Sequence, residues 1–201
     1  DQVAVIKAKL RALLPGCSIF LDVDDLDEIG ALETYVKKSQ AILIFLSRGY
    51  LTSRNCLREL DYALAQRKPL VVVHEADVDK GGLPLGVLRR EFQTHEQQRR
   101  GYHVGERYTH ERRGACTVTA VDVERNTVTM TFDDEQEGTH TYKHKSQHKL
   151  RSLAADADRN TAYLFEQHPI VRWMRIAEFQ AISIREIAEG MLAAMPENFK
   201  E

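Results

Sequence analysis

The chain has 201 residues, 43% of them hydrophobic and 29% charged, a composition typical of a soluble globular protein with one large domain or two small ones. Its formal net charge of -2 argues against a broad nucleic-acid-binding surface, and its longest apolar run, residues 41–46, is too short to cross a bilayer. The first residues show no signal-peptide pattern and the three cysteines match no CxxC spacing, so we expect a reducing, cytoplasmic compartment.

The first half of the chain alternates between helical and extended patterns. Apolar residues at helical spacing predict a helix over residues 3–14, which Pro15 and Gly16 end. The elements predicted after it are a strand at 18–21, an acidic loop, a helix at 31–40, a strand at 41–46, a helix at 56–67 and a strand at 69–74. Continuously apolar strands that alternate with helices predict a parallel sheet covered on both faces, and therefore an α/β fold.

The pattern changes at about Tyr102, where valine, threonine and aromatic residues become frequent. Apolar residues alternate through Val118 and Ala120 and then change phase at Val121, which predicts a β-bulge. Residues 124–126 are predicted to form a hairpin turn. We therefore expect a small antiparallel β-barrel over residues 102–150.

This barrel interrupts the α/β domain, whose two parts are predicted to be residues 1–101 and 151–201. The second part is predicted to hold a helical segment from residue 151, a buried strand over 170–176 and an amphipathic helix over 183–195.

Several motifs occur in one order along the chain. FLDVDDL closes a predicted strand and leads into a loop with Gly30, IFLSRGYLTS closes the next strand, NCLREL opens the next helix, and Arg172 and Trp173 lie in the last strand. In this order the motifs resemble the TIR (Toll/interleukin-1 receptor-like) family, over residues 1–95 and more loosely over 169–196. The resemblance implies a flavodoxin-like parallel sheet flanked by helices. The inserted segment resembles an SH3-like or Tudor-like barrel, which the basic family plan lacks.

Glu59 lies at the edge of the apolar stripe of the NCLREL helix, beside Cys56, Leu60 and Ala63. One interpretation is an acid in the first turn of a helix capped by Asn55, which stabilises the helix through its macrodipole. The resemblance implies another, because TIR domains that cleave NAD place their catalytic glutamate at this position. A carboxylate there can hold the ribose hydroxyls and stabilise the oxocarbenium-like charge that develops as nicotinamide leaves. Nicotinamide is already a cationic leaving group, so a single carboxylate suffices without an acid to protonate it.

The resemblance also implies which residues contact the substrate. By position these are Asp22, Leu26 and Gly30 in the acidic loop. Asn55, at the helix start, is a further candidate to contact the substrate. Ser47 and Ser53, in the loop between the second predicted strand and the helix, are candidates to bind phosphate, although capping of the helix is favoured for Ser53. A rival interpretation takes residues 22–24 as a Mg²⁺ site of a phosphoacceptor receiver domain. The strands AILIFLS and LVVVHE lack the aspartate and lysine that such a domain requires.

The function that the resemblance implies is that of an NAD+ glycohydrolase, which releases nicotinamide and ADP-ribose or a cyclic product. NAD+ is its substrate, no cofactor or metal is required, and activity depends on self-association through TIR contacts. The alternative is a non-catalytic TIR signalling scaffold. Its support is that Asn55 stands where enzymatic members commonly carry tryptophan, and that the family's first strand has no counterpart before Asp1. In either case the barrel is expected to bind a protein partner or to serve assembly.

Two clusters of residues in the barrel segment remain open to interpretation. The histidines at 103, 110, 140, 144 and 148, with Cys116, raise the possibility of zinc, but the H-x3-H-x3-H spacing suits a helix and here follows a predicted strand. We therefore favour solvated histidines. Four aromatic residues raise the possibility of a cage for methylated lysine, against which we favour packing in the barrel core; they are Tyr102, Tyr108, Phe132 and Tyr142.

Overall fold

The computed structural model describes residues 2–20, 32–153 and 159–195, and the side chains at positions 144, 145, 148, 151 and 152 lie outside this description. The chain divides into two compact units, one formed by Asp1–Leu88 with Leu164–Glu201 and the other by Arg89–Tyr163. The boundaries predicted from the sequence, near residues 102 and 150, both lie inside the second unit. No helix in the described part of the chain is long and apolar enough to cross a membrane.

The elements within these ranges alternate as an α/β chain should. The described helices are α1 (Gln2–Leu13), α2 (Leu32–Lys38), α3 (Arg54–Ala65), α4 (Leu85–Arg100), α5 (Arg159–Phe165) and α6 (Ala177–Ala194). The described strands are β1 (Ile42–Leu46), β2 (Leu70–Glu75), β3 (Arg107–His110), β4 (Gly114–Asp122), β5 (Thr127–Phe132), β6 (Thr139–Lys143), β7 (Leu150–Ser152) and β8 (Ile170–Trp173). The predicted α/β class is therefore confirmed.

The first unit is built on a parallel sheet in the order β1-β2-β8, as its apolar strands predicted. All six residues of β2 are buried, because side chains that alternate along the strand are covered on both faces. On one face, Val71 and Val73 join Trp173 and the apolar residues of α1 and α6 in a single core. Within that core the Trp173 Nε1 donates to Gln2 Oε1 at 3.0 Å, which fixes the start of α1 to β8.

The second unit contains a separate antiparallel sheet in the order β6-β5-β4-β3-β7. A β-bulge is present as predicted but lies earlier than the predicted phase change at Val121: the register of β4 against β5 shifts between Val118 and Ala120, and Ala120 is exposed. The predicted hairpin turn is also confirmed, with Asn126 at φ 49°. Tyr108 is fully buried in the core of this sheet, where its hydroxyl accepts from Gln97 Nε2 at 2.7 Å and donates to Glu106 Oε2 at 2.9 Å.

Five elements differ from the sequence prediction. Residues 18–20 are not in a strand; instead the ring of Phe20 stacks on Tyr35 of α2, with centroids 4.2 Å apart. Helix α4 was not predicted, because its sequence is largely charged and carries few apolar residues to mark a buried face. Residues 151 and 152 belong to β7 rather than to a helix, since they pair with β3. Strand β8 ends at Trp173, and α6 begins six residues before its predicted start at 183.

The loop after β2 turns back tightly over the end of that strand. Gly82 donates its N–H to Asp77 O at 2.7 Å, and its Cα lies directly against backbone atoms. A Cβ at this position would lie 2.5 Å from Glu75 O and 2.7 Å from Asp77 O, closer than such atoms approach in proteins. Gly86, in the first turn of α4, differs: a Cβ added there would have no atom within 4 Å.

We predict that Gly82→Ala lowers the free energy of unfolding of the first unit by on the order of 2 kcal/mol, because the backbone must move to admit the methyl group. Gly86→Ala, the matched control, should be about neutral or slightly stabilising. Urea unfolding followed by the fluorescence of Trp173, the single tryptophan and 2% exposed, measures both. Equal effects of the two substitutions would contradict the prediction.

Candidate functional site

Helix α3 carries the predicted catalytic residue, and Ser53 begins it. The Ser53 side chain accepts from the backbone N–H of Cys56 at 3.4 Å and so satisfies a free donor of the first turn. Asn55 is the second residue of the helix and is exposed. Its predicted role as the N-cap is therefore wrong, because the chain reaches helical geometry two residues earlier than the NCLREL pattern indicated.

Glu59 lies in the second turn of α3, and the first turn contains no acidic residue. The interpretation of Glu59 as a first-turn acid is therefore wrong, since the effect of the helix dipole falls off within one turn. Its side chain is partly buried, next to the fully buried Leu60 and four residues before the fully buried Ala63. The prediction that Glu59 lies at the edge of the buried stripe is confirmed.

Helix α2 is held against α3 at both of its ends. In its first turn, both oxygens of Glu33 accept from the guanidinium of Arg58, the residue before Glu59, with Nη2 at 2.7 Å. This fork of hydrogen bonds lowers the pKa of Glu33. After its last turn, Lys68 Nζ donates to the carbonyl oxygens of Lys37 and Ser39, both at 2.7 Å. A helix of seven residues is marginal alone, so these contacts position it beside the segment that carries Glu59.

The predicted substrate-binding residues divide into two groups. Asp22, Leu26 and Gly30, together with the rival Mg²⁺ site at 22–24, lie outside the described residues. Ser47 follows β1, is partly buried, and accepts at its carbonyl from Tyr50 N at 3.1 Å. From there one short turn leads to Ser53 and α3, so Ser47, Asn55 and Glu59 belong to one continuous segment at the carboxyl end of a parallel strand. Ligands of open α/β sheets bind at that edge.

A buried ion pair at the same edge was missed by sequence reasoning. Glu75, the last residue of β2, is fully buried, and its Oε2 accepts from Arg175 Nε at 2.8 Å. Its Oε1 accepts from Asp77 N at 3.0 Å, and Arg175 Nη2 also donates to Lys80 O at 3.2 Å. The signal in the sequence was an acid that ends the apolar run LVVVHE, because a buried carboxylate requires a partner.

The second unit contains four side-chain rings in closed succession, which we call the aromatic box. His110 contacts Phe132 (6.0 Å between centroids), Phe132 contacts His140 (5.8 Å), His140 contacts Tyr142 (6.5 Å), and Tyr142 contacts His110 (5.5 Å). Three walls are almost fully buried, at 5% exposure for His110 and Phe132 and 8% for Tyr142. The side chain of His140 is 37% exposed and therefore marks the solvent side of the box.

Two polar groups of the aromatic box have defined hydrogen-bonding states. The Tyr142 hydroxyl is buried and has no hydrogen-bond partner among the described residues. His110 Nδ1 accepts from Arg112 N at 3.1 Å, so the proton of the neutral ring lies on Nε2. Burial lowers the pKa of His110, which favours this neutral form. In this neutral form the His110 ring adds no positive charge to the box.

The four aromatic residues considered for a methyl-lysine cage all pack in one hydrophobic core, so the favoured prediction of packing in the barrel core is confirmed. Tyr102 and Tyr108 contact each other, with centroids 5.1 Å apart, while Phe132 and Tyr142 belong to the aromatic box with the two histidines. Cys116, considered with the histidines for zinc, is fully buried and its Sγ lies 3.6 Å from Tyr108 O. The prediction of solvated histidines is wrong for His110, which is buried because its ring packs against Phe132 and Tyr142.

Comparisons of the chain with models of protein families, with curated proteins and with solved structures found no match.

We predict opposite effects from removing the hydroxyls of two buried tyrosines. Tyr108→Phe should lower the stability of the second unit by about 1–2 kcal/mol, because Gln97 and Glu106 each lose a hydrogen-bond partner. Tyr142→Phe should be neutral or stabilising by up to about 1 kcal/mol, because it removes a buried group without a described partner. Amide hydrogen exchange of Val128 and Met130 in β5 measures both. A comparable loss in Tyr142→Phe would show that its hydroxyl has a partner.

Proposed function

We propose that this chain is a TIR-like NAD+ glycohydrolase in which Glu59 is the catalytic carboxylate. The observation that carries the proposal is the position of Glu59: partly buried, at the edge of the apolar stripe, in the second turn of the helix that follows β1. First-turn helix stabilisation does not account for a carboxylate there. The β1-β2-β8 parallel sheet, with helices between its strands, supports a flavodoxin-like fold. The cellular location that we propose is the cytoplasm.

In the proposed mechanism the Glu59 carboxylate accepts hydrogen bonds from the ribose hydroxyls of NAD+. As the bond between nicotinamide and ribose breaks, the same negative charge stabilises the oxocarbenium-like ribose. Water, or the adenine of the substrate, then captures the intermediate to give ADP-ribose or a cyclic product. Asp22, Leu26, Gly30, Ser47 and Asn55 are proposed to contact the substrate, and no metal or cofactor takes part.

We predict that Glu59→Gln abolishes nicotinamide release, with a loss of at least about 100-fold, because an amide cannot stabilise the developing positive charge. Asp61→Asn is the matched control: it removes the same charge from the same helix, two residues further on and therefore on another face. Nicotinamide is quantified by chromatography after incubation of the folded proteins with NAD+. Equal turnover by the parent and Glu59→Gln would remove Glu59 from the mechanism.

The same assay, repeated over a range of protein concentrations, tests proposed self-association. The specific activity should increase with concentration, because pockets completed by neighbouring copies form by mass action. A specific activity that does not change with concentration would count against that part of the proposal. If the parent protein self-associates and leaves NAD+ intact, the result favours the alternative, a signalling scaffold that recruits other TIR domains.

For the second unit we propose a separate function, the binding of a protein partner through a methylated ammonium group. The aromatic box favours this ligand, because ring faces attract cations and a quaternary ammonium loses little on leaving water. Strand β7 pairs with β3, and a 3-10 helix, His144–Lys149, precedes β7; this arrangement supports the resemblance to an SH3-like or Tudor-like barrel. The Glu137 carboxylate, 31% exposed and 4.0 Å from His140 Nε2, supplies negative charge at the solvent side.

We predict that tetramethylammonium binds the protein more tightly than tert-butanol, a neutral molecule of similar shape, and that Phe132→Leu weakens binding of the cation by about two- to thirtyfold. Met130→Leu is the matched control, since Met130 lies on the same inward face of β5 and is not a ring of the box. Shifts of the His140 and Tyr142 ring resonances in NMR titrations report binding. Equal affinity for the two probes would contradict recognition of a cation.

A further inference from the structure

Arg113 lies in the turn between β3 and β4, and its side chain reaches the solvent side of the aromatic box. Its Nη1 donates to a Glu137 carboxylate oxygen and lies 2.8 Å from His140 Nε2. All three side chains are partly exposed, at 36% for Arg113, 31% for Glu137 and 37% for His140. One guanidinium nitrogen therefore contacts both Glu137 and His140.

The charge of Arg113 also acts on the buried walls. After burial itself, Arg113 is the largest cause that lowers the pKa of His110. Burial raises the pKa of Tyr142, and Arg113 is the main charge that opposes this rise. The guanidinium charge therefore acts on two rings of the box, those of His110 and Tyr142. The 2.8 Å contact with His140 itself places this positive charge beside the box.

The contact with His140 constrains the protonation state of that ring. Arginine has only donors, so Nε2 of His140 must be the acceptor, and the neutral ring then carries its proton on Nδ1. In this state Glu137 and His140 both act as acceptors toward one internal cation. A methylated ammonium that enters from solvent needs the same carboxylate as its counter-charge, and two cations beside one carboxylate repel each other.

We propose that Arg113 is an internal cation that occupies the solvent side of the aromatic box and competes with methylated ammonium ligands for Glu137. This inference rests on the ligand class proposed for the second unit and adds the residue that limits its affinity. The competing ion pair is exposed and therefore weak, so a ligand that also contacts the rings can displace it. A ligand therefore binds only if its contacts with the aromatic rings outweigh the loss of the ion pair between Arg113 and Glu137.

The test is a tetramethylammonium titration of the full chain and its Arg113→Gln variant, followed by the NMR resonances of the His140 and Tyr142 rings. We expect Arg113→Gln to bind about two- to fivefold more tightly, the range that loss of an exposed ion pair supports. Arg113→Lys keeps a cation on a long side chain and should bind like the parent. Arg112→Gln removes the same charge from the adjacent, exposed position and should also leave the affinity unchanged.

Each outcome has one meaning. Equal affinity of the parent and Arg113→Gln, with binding detected in both, overturns the competition while leaving the aromatic box as a cation site. Equal tightening by Arg112→Gln also overturns it, because the effect is then one of net charge rather than of occupancy. Absence of binding in the parent and in Arg113→Gln, with amide exchange showing that both are folded, overturns the proposed ligand class and the competition together.

Discussion

The burial of both faces of β2 is the constraint on which the first unit depends. A strand with six buried residues requires a neighbour on each edge to satisfy its backbone, and a helical layer on each face to remove its side chains from water. The neighbour on one edge, β1, is close in sequence. The other, β8, lies about a hundred residues later, so the sheet is complete only when the chain returns after the whole second unit.

This return explains the polar chemistry at the carboxyl edge of the sheet. Pairing of β2 with β8 brings Arg175 to Glu75, and the buried carboxylate then receives hydrogen bonds on both of its oxygens. Without Arg175 the carboxylate would be a buried charge without its counter-ion, which is strongly destabilising. Strand β1 also ends at this edge, and the segment from Ser47 to Glu59 follows it in the chain as a loop and the start of α3. The structural carboxylate of Glu75 thus ends β2, whereas the candidate catalytic carboxylate of Glu59 lies in the helix that follows the adjacent strand β1, and the two differ in burial.

The second unit contains two buried tyrosines whose hydroxyl groups differ in hydrogen bonding. The Tyr108 hydroxyl accepts one hydrogen bond and donates another, and it anchors α4 to the sheet through Gln97. Tyr142, on β6 and equally a member of the core, has a hydroxyl with no described partner. A buried polar group in that condition costs stability and calls for a functional account.

The sequence by itself determined the α/β class, the parallel sheet, the bulge and turn of β4 and β5, and the place of Glu59 at the edge of a buried stripe. These follow from periodicity and turn chemistry, which act over a few residues. Only the tertiary structure decided that Phe20 stacks on Tyr35, that Arg175 pairs with Glu75, and that four rings close into a box around which Arg113 and Glu137 meet. The physical reason is that each of these contacts joins groups whose local sequence is compatible with several partners, so the choice among them is made by packing of distant segments and leaves no periodic pattern in the chain.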